Sequence, residues 1–169
     1  MENDMDHIQN QIWLGNKESA FNYDKLMYHN IHYVINCTPN LPNMFENKGV
    51  KYYRVPIHDK EVCDLSYSKQ MYEYILGSFN FIDEALKNNS GVLVHCKKGH
   101  HRSANIILFY LIYKYNMGYI NALMMINQIR PTALVRNTCI NNWGLNIYKQ
   151  LVILKYIKQK GLDPRKFIK

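Results

Sequence analysis

Val92-Leu93-Val94-His95-Cys96-Lys97-Lys98-Gly99-His100-His101-Arg102-Ser103 decides the fold. An apolar run ends in His-Cys, five residues follow with one glycine among them, and Arg-Ser then opens a long apolar segment. The run has the length and composition of a buried strand, and the segment after Arg102 that of a helix. The backbone N–H groups of Lys97 to Arg102 can face inward as an anion nest, and a helix opening near Arg102 adds the positive end of its dipole. Gly99 supplies conformational freedom at the tightest part of the turn. The Arg102 guanidinium can hold two phosphate oxygens in a bidentate fork. The same positive field lowers the pKa of Cys96, which makes its sulfur a nucleophile at neutral pH.

Upstream, Ile12-Trp13-Leu14-Gly15 reads as a short first strand, and Ser19 to His29 as a helix stopped by Asn30. Ile31 to Cys37 is β-branched and apolar, a buried strand. Thr38-Pro39-Asn40-Leu41-Pro42-Asn43 is a loop by its prolines, and Val50 to Ile57 alternates as another strand with Pro56 at its exit. From Ser66 to about Asn88 the apolar residues Tyr67, Met71, Ile75, Phe79, Ile82 and Leu86 trace one helical face, weakened near Gly77. Ala104 to Tyr115 is apolar nearly all round, the mark of a central buried helix, and Gly118 breaks it. A further helix spans Ile120 to Ile129 and stops at Arg130-Pro131, and a last one runs from about Ile140 to Lys158. The pattern predicts an α/β fold: a central, mostly parallel sheet of about four to five strands flanked by helices, with the phosphate-binding loop between a central strand and a buried helix. With no internal repeat and no linker, residues 1–169 read as a single domain.

His-Cys-x5-Arg-Ser after a buried strand resembles the cysteine-dependent protein tyrosine phosphatases, in particular the small dual-specificity phosphatases. Ile12 to Gly15, Phe81 to Leu86 and Arg136-Asn137 are similar to further segments of that family, with Arg136 where proline is usual. The resemblance spans about Ile12 to Leu151. It implies a two-step phosphoryl transfer: Cys96 attacks phosphorus, Arg102 and the loop amides hold the equatorial oxygens, and an aspartate upstream of the cysteine protonates the leaving group. Asp59 and Asp64 compete for that part. Asp59 directly follows Pro56-Ile57-His58, where the family carries its acid, while Asp64 precedes Leu65-Ser66 and reads more simply as a helix N-terminal charge. Asp59 is therefore preferred. Ser103 is assigned a hydrogen bond to the sulfur, compatible with capping the helix, and His95 an orienting role through hydrogen bonds. Lys97, Lys98, Gly99, His100, His101 and Arg102 are the substrate-binding candidates. No step needs a metal or an organic cofactor. His100 and His101, adjacent in a tight turn, point apart and suit a metal poorly.

The net charge of +8 favours anionic partners. A phosphorylated protein is the expected substrate. The basic loop also suits a polyphosphorylated non-protein substrate (a phosphoinositide, an inositol pyrophosphate or an RNA 5′ end). A phosphate-binding pseudophosphatase is disfavoured, because Cys96, Arg102 and a candidate acid are all present. A rhodanese-like or arsenate-reductase-like redox enzyme would lack the upstream acid segment and the helical downstream half. The longest apolar stretch, Ile106 to Tyr113, is too short for a bilayer, and no signal peptide opens the chain, so a cytoplasmic protein is expected. The four cysteines fit no zinc spacing and read as free thiols. Cys37, beside the nucleophile strand, reads as a small core residue, with disulfide exchange toward Cys96 as the alternative, and Cys63 is a second candidate partner. The wealth of Asn, Lys, Ile and Tyr accords with an AT-rich genome such as that of a large DNA virus.

Overall fold

In the computed structural model the Val92–Val94 run forms the middle of a strand, Gly91–His95, whose five residues are all buried. The described residues are 2–58, 65–135 and 159–161, with the backbone alone for 65–70. Asp59, Cys63, Asp64, Arg136-Asn137, Cys139 and the helix expected over Ile140 to Lys158 lie outside them. Around the central strand the chain runs β1 (Met5–Gln9), β2 (Ile12–Gly15), α1 (Lys17–Ala20), α2 (Tyr23–Tyr28), β3 (Ile31–Asn36), a 3₁₀ turn (Glu46–Lys48), β4 (Lys51–Arg54), α3 (Leu65–Lys87), β5 (Gly91–His95), α4 (Arg102–Tyr115) and α5 (Tyr119–Ile129). The five strands lie in the order β1-β2-β5-β3-β4, with β1 antiparallel to β2 and the other pairs parallel. The expected α/β architecture is present.

Successive side chains of a strand face opposite ways, and a strand buried on both faces needs apolar residues at every position. Val92 and Val94 accordingly enter the larger core cluster, with α3, α4 and α5, and Leu93 the smaller one, with α1 and α2. In β3 the register against β5 shifts between Ile31 and Tyr33. The extra residue lets Ile31 join Val34 in the smaller cluster while Tyr33, Ile35 and Cys37 line the larger one. On α4 every residue from Arg102 to Ile112 is buried, as an all-round apolar helix requires. No described helix is long and apolar enough to cross a membrane.

Four expectations need correction. Ile12–Gly15 is the second strand, because Met5–Gln9 precedes it as a hairpin partner, turned by Asn10 with φ 52°. Its buried residues, Met5 and Ile8, stand three apart across a register shift, so no period of two is visible. The segment read as one helix from Ser19 to His29 is two, each capped by an asparagine: Asn16 Oδ1 accepts from the Ser19 N–H at 3.0 Å, and Asn22 Oδ1 from that of Lys25 at 3.0 Å. The fourth strand ends at Arg54, not Ile57. Asn116, left-handed with φ 56°, ends α4, while Gly118 is extended and begins α5.

Gly77 is more than a weak point in α3. A Cβ there would stand 2.0 Å from Tyr53 Oη and 2.7 Å from its Cζ, so the missing side chain is the seat of that ring. Alanine would gain about 1 kcal/mol of helix propensity. It would also dislodge a half-buried ring packed on Phe81, and burial of that size outweighs the gain. Gly77→Ala is expected to lower stability by about 1 kcal/mol. In a Tyr53→Ala background it should raise it, and chemical denaturation of the two single variants and the double variant measures both signs.

Candidate active site

Strand β5 delivers Cys96 to the floor of the turn into α4, 3 % exposed. The direction of the loop amides follows from its carbonyls, each of which accepts from a donor outside the loop. Lys97 C=O accepts from the Lys17 N–H (3.2 Å), and His100 C=O from the Leu134 N–H (2.9 Å). His101 C=O accepts from the Asn105 N–H (2.9 Å) and its side-chain amide (3.1 Å). The carbonyls of Lys98 and Gly99 accept from one side chain, Arg130, through Nη2 (3.3 Å) and Nε (3.0 Å). A trans peptide plane sets C=O and the next N–H on opposite sides, and no described peptide is cis. Carbonyls held outward therefore turn the N–H groups of Lys98, Gly99, His100, His101 and Arg102 inward. One of these contacts is direct: the Gly99 N–H donates to Cys96 Sγ at 3.2 Å. Gly99 itself has φ 72°, and a Cβ on it would strike the Gly15 carbonyl oxygen at 2.6 Å.

The sulfur is poised by its donors. Burial alone pushes the Cys96 thiol up, but the Ser103 hydroxyl at 3.3 Å, the Ser103 amide, the Arg102 charge and the Gly99 amide together bring it below the ordinary thiol value. Ser103 thus spends its hydroxyl on the sulfur, and the helix N-cap is His101, which makes no capping bond. Arg102 is buried, with Nη1 3.4 Å from the Ile57 carbonyl. Cys37, fully buried in the same core cluster as Cys96, is pushed well above the ordinary thiol value by burial and then by the charge of Cys96. Both are free thiols.

His95 is buried, its Nδ1 3.4 Å from the Cys96 carbonyl. Burial, with the charges of Arg54 and Arg102, lowers its pKa to about 4 against the opposing pull of that carbonyl, so the ring is neutral at pH 7. Its unfolded value lies near 6.5, and a depressed folded pKa means that protons favour the unfolded chain. The stability this ring contributes is complete above pH ~6.5 and is lost as pH falls toward 4, a loss of about 2 kcal/mol by pH 5. Urea unfolding at pH 7 and pH 5 should show that loss in the wild type, and a smaller one in His95→Gln.

Lys97 and Lys98 are exposed, and His100 and His101 half-buried, on the rim of a cleft of about 740 Å³ that Cys96 and Arg102 also line. The two imidazoles stand perpendicular, centroids 6.3 Å apart, and His100 Nε2 lies 3.0 Å from Glu2 Oε2. Arg130 is the residue that reading the sequence as a helix stop missed. Its signal was phase: it continues the buried positions Ala122 and Ile126 at intervals of four, a charge on a core stripe.

A family model described as "Dual specificity phosphatase, catalytic domain" matches residues 12–143. Human dual specificity protein phosphatase 6 is 40 % identical over 108 residues, 63 % of this chain and 27 % of that protein. The Arabidopsis thaliana dual specificity protein phosphatase 1B is 31 % identical over 130 residues, 77 % of this chain and 74 % of its own length. The crystal structure of human DUSP28 superposes with a TM-score of 0.77 at 20 % identity, covering 90 % of this chain and 97 % of that one. The chain spans only about a quarter of the length of the first curated relatives it matches. A family-model match over most of the sequence, together with a shared fold, leaves one assignment: this chain belongs to the dual specificity phosphatase catalytic-domain family.

Proposed function

We propose that the chain hydrolyses phosphotyrosine, and phosphoserine or phosphothreonine, in proteins through a phosphocysteine intermediate. The observation that carries this reading is the Cys96 sulfur, its pKa lowered despite burial, at the centre of a ring of inward amides. In the first step the thiolate attacks phosphorus in line. The S–P bond forms as the P–O bond to the substrate breaks, and Asp59 gives its proton to the departing oxygen. Arg102 and the amides of Lys98 to Arg102 hold the equatorial oxygens and stabilise their charge. In the second step Asp59 takes a proton from water, the water oxygen attacks phosphorus, and the S–P bond breaks as the Ser103 hydroxyl supports the leaving thiolate. His95, neutral and against the loop backbone, orients it.

Asp59 is supported by reach. It follows Ile57 by two residues, and the Ile57 carbonyl lies against Arg102. Covalent geometry keeps the two α-carbons within about 8 Å, a limit that Asp64, seven residues from Ile57, does not share. Asp59→Asn should lower kcat on a phosphotyrosine peptide by about 10²-fold or more with little change in binding, and by less on esters with good leaving groups. That pattern in Asp64→Asn alone would move the assignment there.

The curated relatives reported above are named protein phosphatases, which favours protein substrates over the polyphosphate reading of the basic rim. Turnover of phosphopeptides, phosphoinositides and 5′-triphosphorylated RNA, compared in one panel, tests this, with the peptides expected to be preferred. A catalytic thiol that must stay reduced also suits the cytoplasm.

A further inference from the structure

Arg130, 1 % exposed, heads the fully buried side chains by size among the described residues, and it carries a charge. One side of its guanidinium grips the loop, as the bonds to the Lys98 and Gly99 carbonyls show. The other meets the chain's N-terminal segment: Nη1 lies 2.5 Å from Asp6 Oδ2 and 2.9 Å from the Asn3 carbonyl, while Nε, the nitrogen that also holds the Gly99 carbonyl, lies 3.3 Å from Glu2 Oε1. Glu2 also accepts from the Thr132 hydroxyl and contacts His100, so one carboxylate ties Arg130 to two residues that line the cleft. These acidic residues precede residue 12, where the family match begins.

The Lys98 carbonyl and the Gly99 N–H share one peptide plane, and that N–H points at the Cys96 sulfur. The Gly99 carbonyl and the His100 N–H share the next. A guanidinium holding both carbonyls from behind fixes the tilt of two inward amides, one of which donates to the sulfur. A buried guanidinium keeps that place only with anionic partners, here Asp6 and Glu2. We propose that Arg130, balanced by Asp6 and Glu2, is a positioning residue for the phosphate-binding loop, which makes the N-terminal strand a working part of the site.

The assignment of an anion-binding loop rests on the function proposed above, so the test reads anion binding and sulfur reactivity instead of turnover. Cys96 alkylation by iodoacetamide, followed across pH by peptide mapping with and without sodium tungstate as protectant, is compared in wild type, Arg130→Lys, Asp6→Asn, Asp6→Glu and Glu2→Gln. Arg130→Lys and Asp6→Asn should raise the alkylation midpoint by about one pH unit and weaken tungstate protection about tenfold. Glu2→Gln should weaken it about threefold, and Asp6→Glu should recover most of the wild-type protection. Unchanged midpoint and protection in folded Asp6→Asn overturn the proposal. Should that variant not fold, Glu2→Gln decides in the same way. A wild type that binds tungstate yet cleaves no phosphoester would sink the proposed activity and leave the role of Arg130 standing, whereas an active wild type with indifferent variants sinks the role of Arg130 alone.

Discussion

Cys96→Ser is expected to lose turnover by roughly four orders of magnitude or more while still binding phosphoester. The hydroxyl stays un-ionised at neutral pH, so no nucleophile faces phosphorus. The rest of the nest depends on carbonyls held by Lys17, Arg130, Leu134 and Asn105, none of which the substitution touches. The variant also removes a negative charge from the floor of an anion site, so its affinity for a phosphopeptide should equal or exceed the wild-type value. Steady-state rates with para-nitrophenyl phosphate and calorimetric binding of a phosphotyrosine peptide measure the two halves. Residual turnover above about one per cent would sink the covalent route.

Arg102→Lys comes next in size, with an expected loss of about 10²- to 10³-fold in kcat/KM. The guanidinium is buried and braced by the Ile57 carbonyl, which aims its fork into the cleft. An ammonium keeps the charge and loses the two-pronged geometry. The charge of Arg102 also helps lower the Cys96 pKa, and this separates the two contributions. The pH midpoint of Cys96 alkylation should stay near wild type in Arg102→Lys and rise in Arg102→Ala. Unimpaired kcat/KM in the lysine variant would mean that charge alone suffices.

The centre of the fold was legible because its physics is local. β5 is apolar from Gly91 to Val94, and α4 is buried all round as far as Ile112, so each reads correctly without knowledge of its neighbours. His95, Cys96, Gly99, Arg102 and Ser103 were legible for the same reason, being within nine residues of one another. What escaped depends on distant partners. β1 carries no period of two because its register breaks, and only its pairing with β2 makes it a strand. Gly77 looked like a defect until Tyr53, on another element, proved to occupy the space. Arg130 stands 31 positions from the carbonyl it holds and 124 from the carboxylate that balances it, a separation no local pattern expresses.

The strand order has a consequence for how the chain reaches this state. β5 lies between β2 and β3, so the hairpin of β1 and β2 and the pair of β3 and β4 meet only through a strand that begins at residue 91. Until that residue is made, more than half the chain has no partner for the inner edges of β2 and β3. The β2–β5 pairing, Ile12 against Val92, closes a long loop before any contact repays it, which makes the folding transition late and slow. During synthesis those two edges wait exposed, and they are where a nascent chain would aggregate or recruit a chaperone. The strand that leads into Cys96 is therefore also the one that completes the sheet, and no partly assembled sheet can hold the loop in its finished form.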